Sequence, residues 1–189
     1  FPAALGCIRE ALKFSKDRSI EIYLSSLLVK SGDLSGGISV LESLLAKQPT
    51  DIELLFNMGV LYGEAQLEAD ALDYMNRVLA REPDHPGALN YVGYTWVEQG
   101  LNLSKAEDFI RRALEVRPED GFITDSLGWL FYKKATILMK RGSSEDADGY
   151  LKAAIIELKK AAVLTGGDPV VCEHLGDAYL LQGDRRRAL

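Results

Sequence analysis

Histidine, cysteine and proline are scarce in this chain of 189 residues, at two, two and six copies. A protein zinc site needs three or four converging ligands, so His85 and His174, far apart in the sequence, read as surface or capping residues. A disulfide requires alpha carbons within about 7 Å, and Cys7 and Cys172 stand near opposite ends of the chain. Both are expected as buried structural thiols. No Gly-Lys-Ser follows Gly166-Gly167, which removes a phosphate-cradling loop. Asp125 and Tyr132 share a helix face, but a single such pair is too little for acid–base work. The reading is of a protein that is not an enzyme and needs no cofactor or metal.

Other absences narrow the partners. The net charge is −6, and Arg185-Arg186-Arg187 is the longest basic run, so a phosphate backbone finds no broad positive field. Nucleic acid is not an expected partner. No apolar stretch approaches the roughly 18 residues that cross a bilayer, so no direct membrane span is expected in this sequence. Nothing at the start reads as a signal peptide, although the chain opens on Phe1-Pro2 and looks excised from something longer. No alternating strand pattern occurs. With 47% hydrophobic and 26% charged residues, the composition suits a folded, all-helical protein.

What is present is a repeat. Pro49, Pro83 and Pro118 close apolar helical segments at spacings of 34 and 35 residues. Between them an apolar residue precedes glycine at Met58-Gly59, Val92-Gly93, Leu127-Gly128 and Leu175-Gly176. Three residues past each glycine stands a ring: Tyr62, Trp96, Phe131 and Tyr179. Ala71, Ala106 and Ala188 then open second helices, which continue through Met75 and Val78 or Ile110 and Ala113. Glycine and alanine would let two helices cross closely, the rings would fill the space between one hairpin and the next, and proline would punctuate. Thr50 to Glu53 and Ser104 to Glu107 have capping-box spacing. Ser104 is therefore taken as a cap and not as part of a glycosylation acceptor at Asn102. Pro86 and Pro169 suit first helical turns, and Gly32, Gly100 and Gly183 suit the turns between paired helices.

Gly-x-x-aromatic, then Ala, then Pro on this period resembles the tetratricopeptide repeat over nearly the whole chain. The resemblance implies an all-α, right-handed α-solenoid of antiparallel helix hairpins, a single array over 1–189. Full hairpins are expected at 18–51, 52–85, 86–120 and 121–168, with partial repeats at 1–17 (through Ala4, Ile8 and Ala11) and 169–189. The first hairpin departs most, with Ser25 in place of glycine and Gly37 in place of alanine. The stretches Ala88–Tyr94 and Arg117–Trp129 further resemble a bacterial envelope subgroup. That likeness implies a lipoprotein adaptor on the periplasmic side, anchored through residues before Phe1; a cytoplasmic location is the alternative.

The fourth hairpin holds 48 residues, 14 beyond the period. About seven extra residues per helix is close to two turns, so a projecting arm with its tip at 141–146 is expected. Ile137, Leu138, Met139, Tyr150 and Leu151 cannot all be covered by ordinary neighbours, leaving some for a partner or a second copy.

In the resembling family, partners lie against the first helices. By register, the partner-binding groove here comprises Phe56, Val60 and Glu64, then Asn90, Tyr94, Val97 and Glu98, then Phe122, Asp125, Trp129, Tyr132 and Lys133, and finally Glu173, Asp177 and Leu180. Rings, amides and carboxylates suit a peptide or protein partner. Only Lys30 and Lys133 approach the positions of a carboxylate clamp, and acids stand nearby, so a neutral or mildly basic ligand is expected. A protein-binding adaptor is the leading function. Self-assembly into a homo-oligomer, or a regulatory segment of a larger enzyme, are the alternatives.

Overall fold

The computed structural model describes residues 6–8, 10, 14 and 17–187. Ala4, Ala11 and Ala188, on which two of the partial-repeat assignments lean, lie outside the described residues. Among the described residues there is no strand; the fold is all-α. The chain divides into two compact units, Phe1–Pro83 and Asp84–Leu189.

The first unit contains α1 (Arg18–Lys30), α2 (Leu34–Leu45), α3 (Ile52–Glu64) and α4 (Glu68–Leu79). The second contains α5 (Pro86–Gln99), α6 (Leu103–Val116), α7 (Gly121–Lys140), α8 (Ser144–Leu164) and α9 (Pro169–Gln182). Within each unit successive helices pair as antiparallel hairpins. α7 and α8 have 20 and 21 residues, against 14 and 14 in α5 and α6. The turn joining them is Arg141–Ser143, with Gly142 at φ +82°, shorter than the expected six-residue tip because Glu145 and Asp146 already belong to the first turn of α8.

The small residues sit where their chemistry demands. A β-carbon on Gly59 would lie 2.8 Å from the Met75 side chain, one on Gly93 2.9 Å from Ile110, and one on Gly128 2.7 Å from Leu158. Ala71, Met75, Ala106 and Ile110 are fully buried opposite them. The departure in the first hairpin is an exchange of partners: a β-carbon on Gly37 would lie 2.8 Å from the carbonyl oxygen of Ser25 and 2.7 Å from Val29. The glycine has moved to the second helix, and the crossing stays close. Around these contacts Leu41, Leu54 and Met58 form the core of the first unit. Truncating any of them to alanine removes about 2–5 kcal/mol.

The rings have neighbours on two sides. Tyr62 stacks on Tyr74 at 5.5 Å, Trp96 meets Phe109 at 5.0 Å, and Phe131 meets Tyr150 at 6.0 Å, so these three meet a ring on the partner helix of their own hairpin. Tyr62 also packs on the cluster of Leu41 and Leu44, and Arg111 lies over Phe131, both from the preceding hairpin. Capping also shifts. Asp51, not Thr50, caps α3, its carboxylate accepting from the Leu54 N–H at 3.0 Å, because carboxylate chemistry serves the free N–H groups better than a hydroxyl one residue earlier. α6 starts at Leu103 behind Asn102, which is at φ 49°, so Ser104 lies inside the helix and is no cap. Gly100, at φ +67°, ends α5 as expected. His85 caps α5, its Nδ1 accepting from the Ala88 N–H at 3.1 Å. Both thiols, Cys7 and Cys172, are exposed instead of buried; Cys172 falls on the outer side of α9 beside Glu173, while Val171 and His174 turn inward.

Candidate functional site: a cleft across alternate helices

In the second unit, α5, α7 and α9 form a cleft of about 330 Å³. α5 contributes Asn90, Tyr91 and Tyr94, α7 contributes Phe122, Asp125 and Ser126, and α9 contributes Val170, Val171 and His174 behind its cap Asp168. Most of these positions follow a rule. Counted from the crossing glycine, they stand three before (Asn90, Asp125), two before (Tyr91, Ser126, His174) or one after (Tyr94). In the first unit a separate hollow of about 220 Å³ uses the same register on α1 and α3: Ile22, Tyr23 and Ser26 around Ser25, then Asn57 and Val60 around Gly59, with Glu64 at its edge.

One wall of the larger cleft is a polar–aromatic cluster buried by its own neighbours. His174 Nδ1 lies 3.0 Å from both carboxylate oxygens of Asp125, and each residue is under a tenth exposed. The imidazole stacks on Trp129 at 4.0 Å, and Tyr132 stacks on the same indole at 4.6 Å. The Trp129 Nε1–H donates to Glu98, which also meets Lys133 Nζ at 3.5 Å; that ammonium lies 4.9 Å from the indole centroid. Burial first, and then the carboxylates of Glu98 and Asp125, push the Tyr94 phenol up to about 12. Burial and the nearby Asp177 likewise raise Tyr132. Both phenols therefore stay protonated, as hydrogen-bond donors, across the physiological range.

The residues expected to line a groove thus separate. Asn90, Tyr94, Phe122 and Asp125 come together in the cleft, and Phe122 is 59% exposed. Val97 is fully buried, so it is a core residue and no ligand contact, because it faces the hairpin interior with Val92 and Leu89. Trp129 is 8% exposed, its faces taken by His174 and Tyr132; it supports the wall instead of presenting an open anchor. Glu98, Tyr132, Lys133 and Asp177 surround that support. Glu173 and Leu180 are exposed outside the cleft lining. In the first unit Val60 and Glu64 line the smaller hollow and Phe56 is half-buried. Lys30 is paired with Glu64 at 3.3 Å, as Lys133 is with Glu98.

On the long hairpin, Leu151 is buried at 3% against its own partner helix, while Ile137, Leu138, Met139 and Tyr150 are half-buried. His174 is the main omission from the sequence reading. It is neither a surface nor a capping residue, because Asp125 supplies its partner from 49 residues away. Tyr91, Ser126, Asp168, Val170 and Val171 were missed as well; the register two before each glycine was the available signal for the first two.

A family model described as tetratricopeptide repeat matches residues 53–85. A TPR repeat-containing protein of Pseudomonas aeruginosa is 30% identical over 167 residues, which is 85% of this chain and 25% of the relative. A thermophilic TPR protein from Thermus thermophilus superposes with a TM-score of 0.69 at 20% identity, over 91% of this chain and 86% of that one. The chain is built of tetratricopeptide repeats. A tetratricopeptide protein from Parabacteroides merdae shares the fold at a TM-score of 0.65 and 20% identity, covering 98% of this chain and 68% of that one. Human IFIT1, solved as a dimer with m7Gppp-AAAA, does so at 0.76 and 16%, over 99% of this chain and 44% of that one. The chain spans about a quarter of the length of the curated relative. Tetratricopeptide repeats in general mediate protein–protein interaction and are non-catalytic. Among the described residues no helix is long and apolar enough to cross a membrane, and no three metal-ligating side chains converge.

Proposed function

We propose that this chain is a non-catalytic adaptor whose cleft between α5, α7 and α9 holds a peptide or protein segment. The observation that carries the reading is the exposed Phe122 ring and the Tyr94 phenol beside Asn90, set on a wall fixed by the Asp125–His174–Trp129 cluster. A preorganised wall binds at low cost in ordering, and ring–amide combinations serve extended chains well. Lys30 and Lys133 are engaged by carboxylates, so the two candidate clamp cations favour no acidic terminus, and a neutral or mildly basic segment fits better. Ile137, Leu138, Met139 and Tyr150 on the long hairpin would assist by covering part of a larger partner. We further propose a bacterial envelope location facing the periplasm. The likeness of Ala88–Tyr94 and Arg117–Trp129 to the envelope subgroup supports it, and the relative at 30% identity is bacterial.

Affinity capture from native cells, comparing the wild-type chain with a Tyr94→Ala/Phe122→Ala variant, tests the cleft. The variant should lose partners that the wild type retains. Identical captured sets would remove the cleft from the account.

A further inference from the structure

Among the described residues two buried side-chain polar atoms lack a hydrogen-bond partner, Arg18 Nε and Asn90 Oδ1. The first belongs to a guanidinium whose other nitrogens bond Asp51 and Glu53. The second stands alone, and Asn90 lies in the wall of the cleft between α5, α7 and α9. A buried acceptor without a donor costs stability, and native folds keep few of them. Turning the amide over would bury unpaired N–H hydrogens instead, which costs no less. An occupant that brings an N–H donor to Asn90 removes that cost.

The charge of the walls narrows the donor. α5, α9 with its cap, and α7 as far as Tyr132 hold Glu98, Asp125, Asp168, Glu173 and Asp177, and no lysine or arginine. Glu98 is met by Lys133 and Asp125 by His174. In the cleft lining, Asp168 Oδ1 accepts from the Val170 and Val171 N–H groups, while Oδ2 has no partner among the described residues. The helix starts offer an anion little, because Asp120 and Asp168 already take the first-turn N–H groups of α7 and α9. Beside these carboxylates Val170 is 54% exposed, and the Phe122 ring is open to the same degree. Arginine combines what these walls ask for: several N–H donors, a permanent positive charge, a planar face that stacks on a ring, and an apolar stem.

We propose that the segment held in this cleft is anchored by an arginine side chain. Its guanidinium donates to Asn90 Oδ1 and faces Asp168, and its stem lies on Phe122 and Val170. The proposal rests on the cleft being a peptide site and adds what that site selects. A volume of about 330 Å³ is at the small end of ligand pockets, a fit for one such side chain with its flanking backbone.

The test begins with a phage-displayed random heptapeptide library, selected on the full chain and counter-selected on Tyr94→Ala/Phe122→Ala. Peptides that need those two rings should be enriched in arginine over the unselected library. A fluorescein-labelled copy of the leading peptide is then read by fluorescence anisotropy. Its affinity should fall by about tenfold or more when arginine becomes citrulline, which keeps N–H donors and shape but not the charge. Asn90→Leu should weaken binding by about as much, and Asp168→Asn, which can still cap α9, by about threefold. Asn90→Leu should also melt no lower than wild type by circular dichroism, because an acceptor without a partner holds nothing in the free chain. Ring-dependent peptides that lack arginine would overturn the anchor and leave the peptide site standing; no ring-dependent peptide at all would remove both. Equal affinity for the arginine and citrulline peptides, or wild-type affinity in Asn90→Leu, would also overturn the anchor.

Discussion

His174 Nδ1 on α9 lies 3.0 Å from both carboxylate oxygens of Asp125 on α7, and its ring stacks on Trp129 at 4.0 Å. One side chain thereby ties the last described helix to the long hairpin. Removing one partner of a buried hydrogen bond leaves the other unsatisfied, at a cost of about 1–3 kcal/mol. His174→Ala should therefore lower the stability of the second unit by that amount in urea denaturation followed by tryptophan fluorescence. Leu180→Ser on the same helix, at an exposed site, should stay within about 0.5 kcal/mol of wild type. Equal midpoints for the two variants would show that the pair holds nothing together.

The crossing glycines make a paired prediction. Gly128→Ala would drive a methyl to 2.7 Å from Leu158 Cγ and 3.0 Å from its backbone nitrogen. Overpacking of this kind costs about 1–3 kcal/mol. Gly149, inside α8, has nothing within 4 Å of the place an added β-carbon would take, so Gly149→Ala should stabilise by about 0.5–1 kcal/mol through helix propensity alone. Thermal melts of the two variants should move in opposite directions.

Acid should act on Glu107. Burial alone would raise its carboxyl, but hydrogen bonds from Lys134 and Arg111, with the charges of both, outweigh burial and hold it below the usual carboxylate range. A depressed folded value contributes stability that is complete above the unfolded pKa of about 4.3 and is lost as pH falls through the folded one. The stability gap between wild type and Glu107→Gln should therefore be largest near neutral pH and narrow from about pH 5 downward. A gap constant from about pH 7 to about pH 3 would contradict the assignment.

Much of the fold was legible in the chain because it rests on spacing. Gly59, Gly93 and Gly128 mark close crossings where an added β-carbon would come within 3.0 Å of a side chain on the partner helix, and the surplus of 14 residues appears as the two long helices α7 and α8. The cleft was only partly legible. Register identifies which side of a helix Asn90, Tyr94 and Asp125 occupy, but not which polar group is consumed by another. By register alone Trp129 is an anchor, yet His174 and Tyr132 cover its faces, and Val97 lies one position off the open face. The α3 cap moved by one residue because the Asp51 carboxylate takes the Leu54 N–H, and α6 begins ahead of Ser104 behind a left-handed Asn102 whose side chain caps nothing, local geometry that a spacing pattern does not resolve.

The central claim is that a partner lies in the cleft of the second unit. Its most direct test is site-specific photocrosslinking in native cells, with a photoreactive phenylalanine analogue at position 122, and at position 101 as a comparably exposed control in the α5–α6 turn. A discrete crosslinked protein is expected from position 122 and none from position 101. Capture of the same protein from both positions, or from position 101 alone, would contradict the claim.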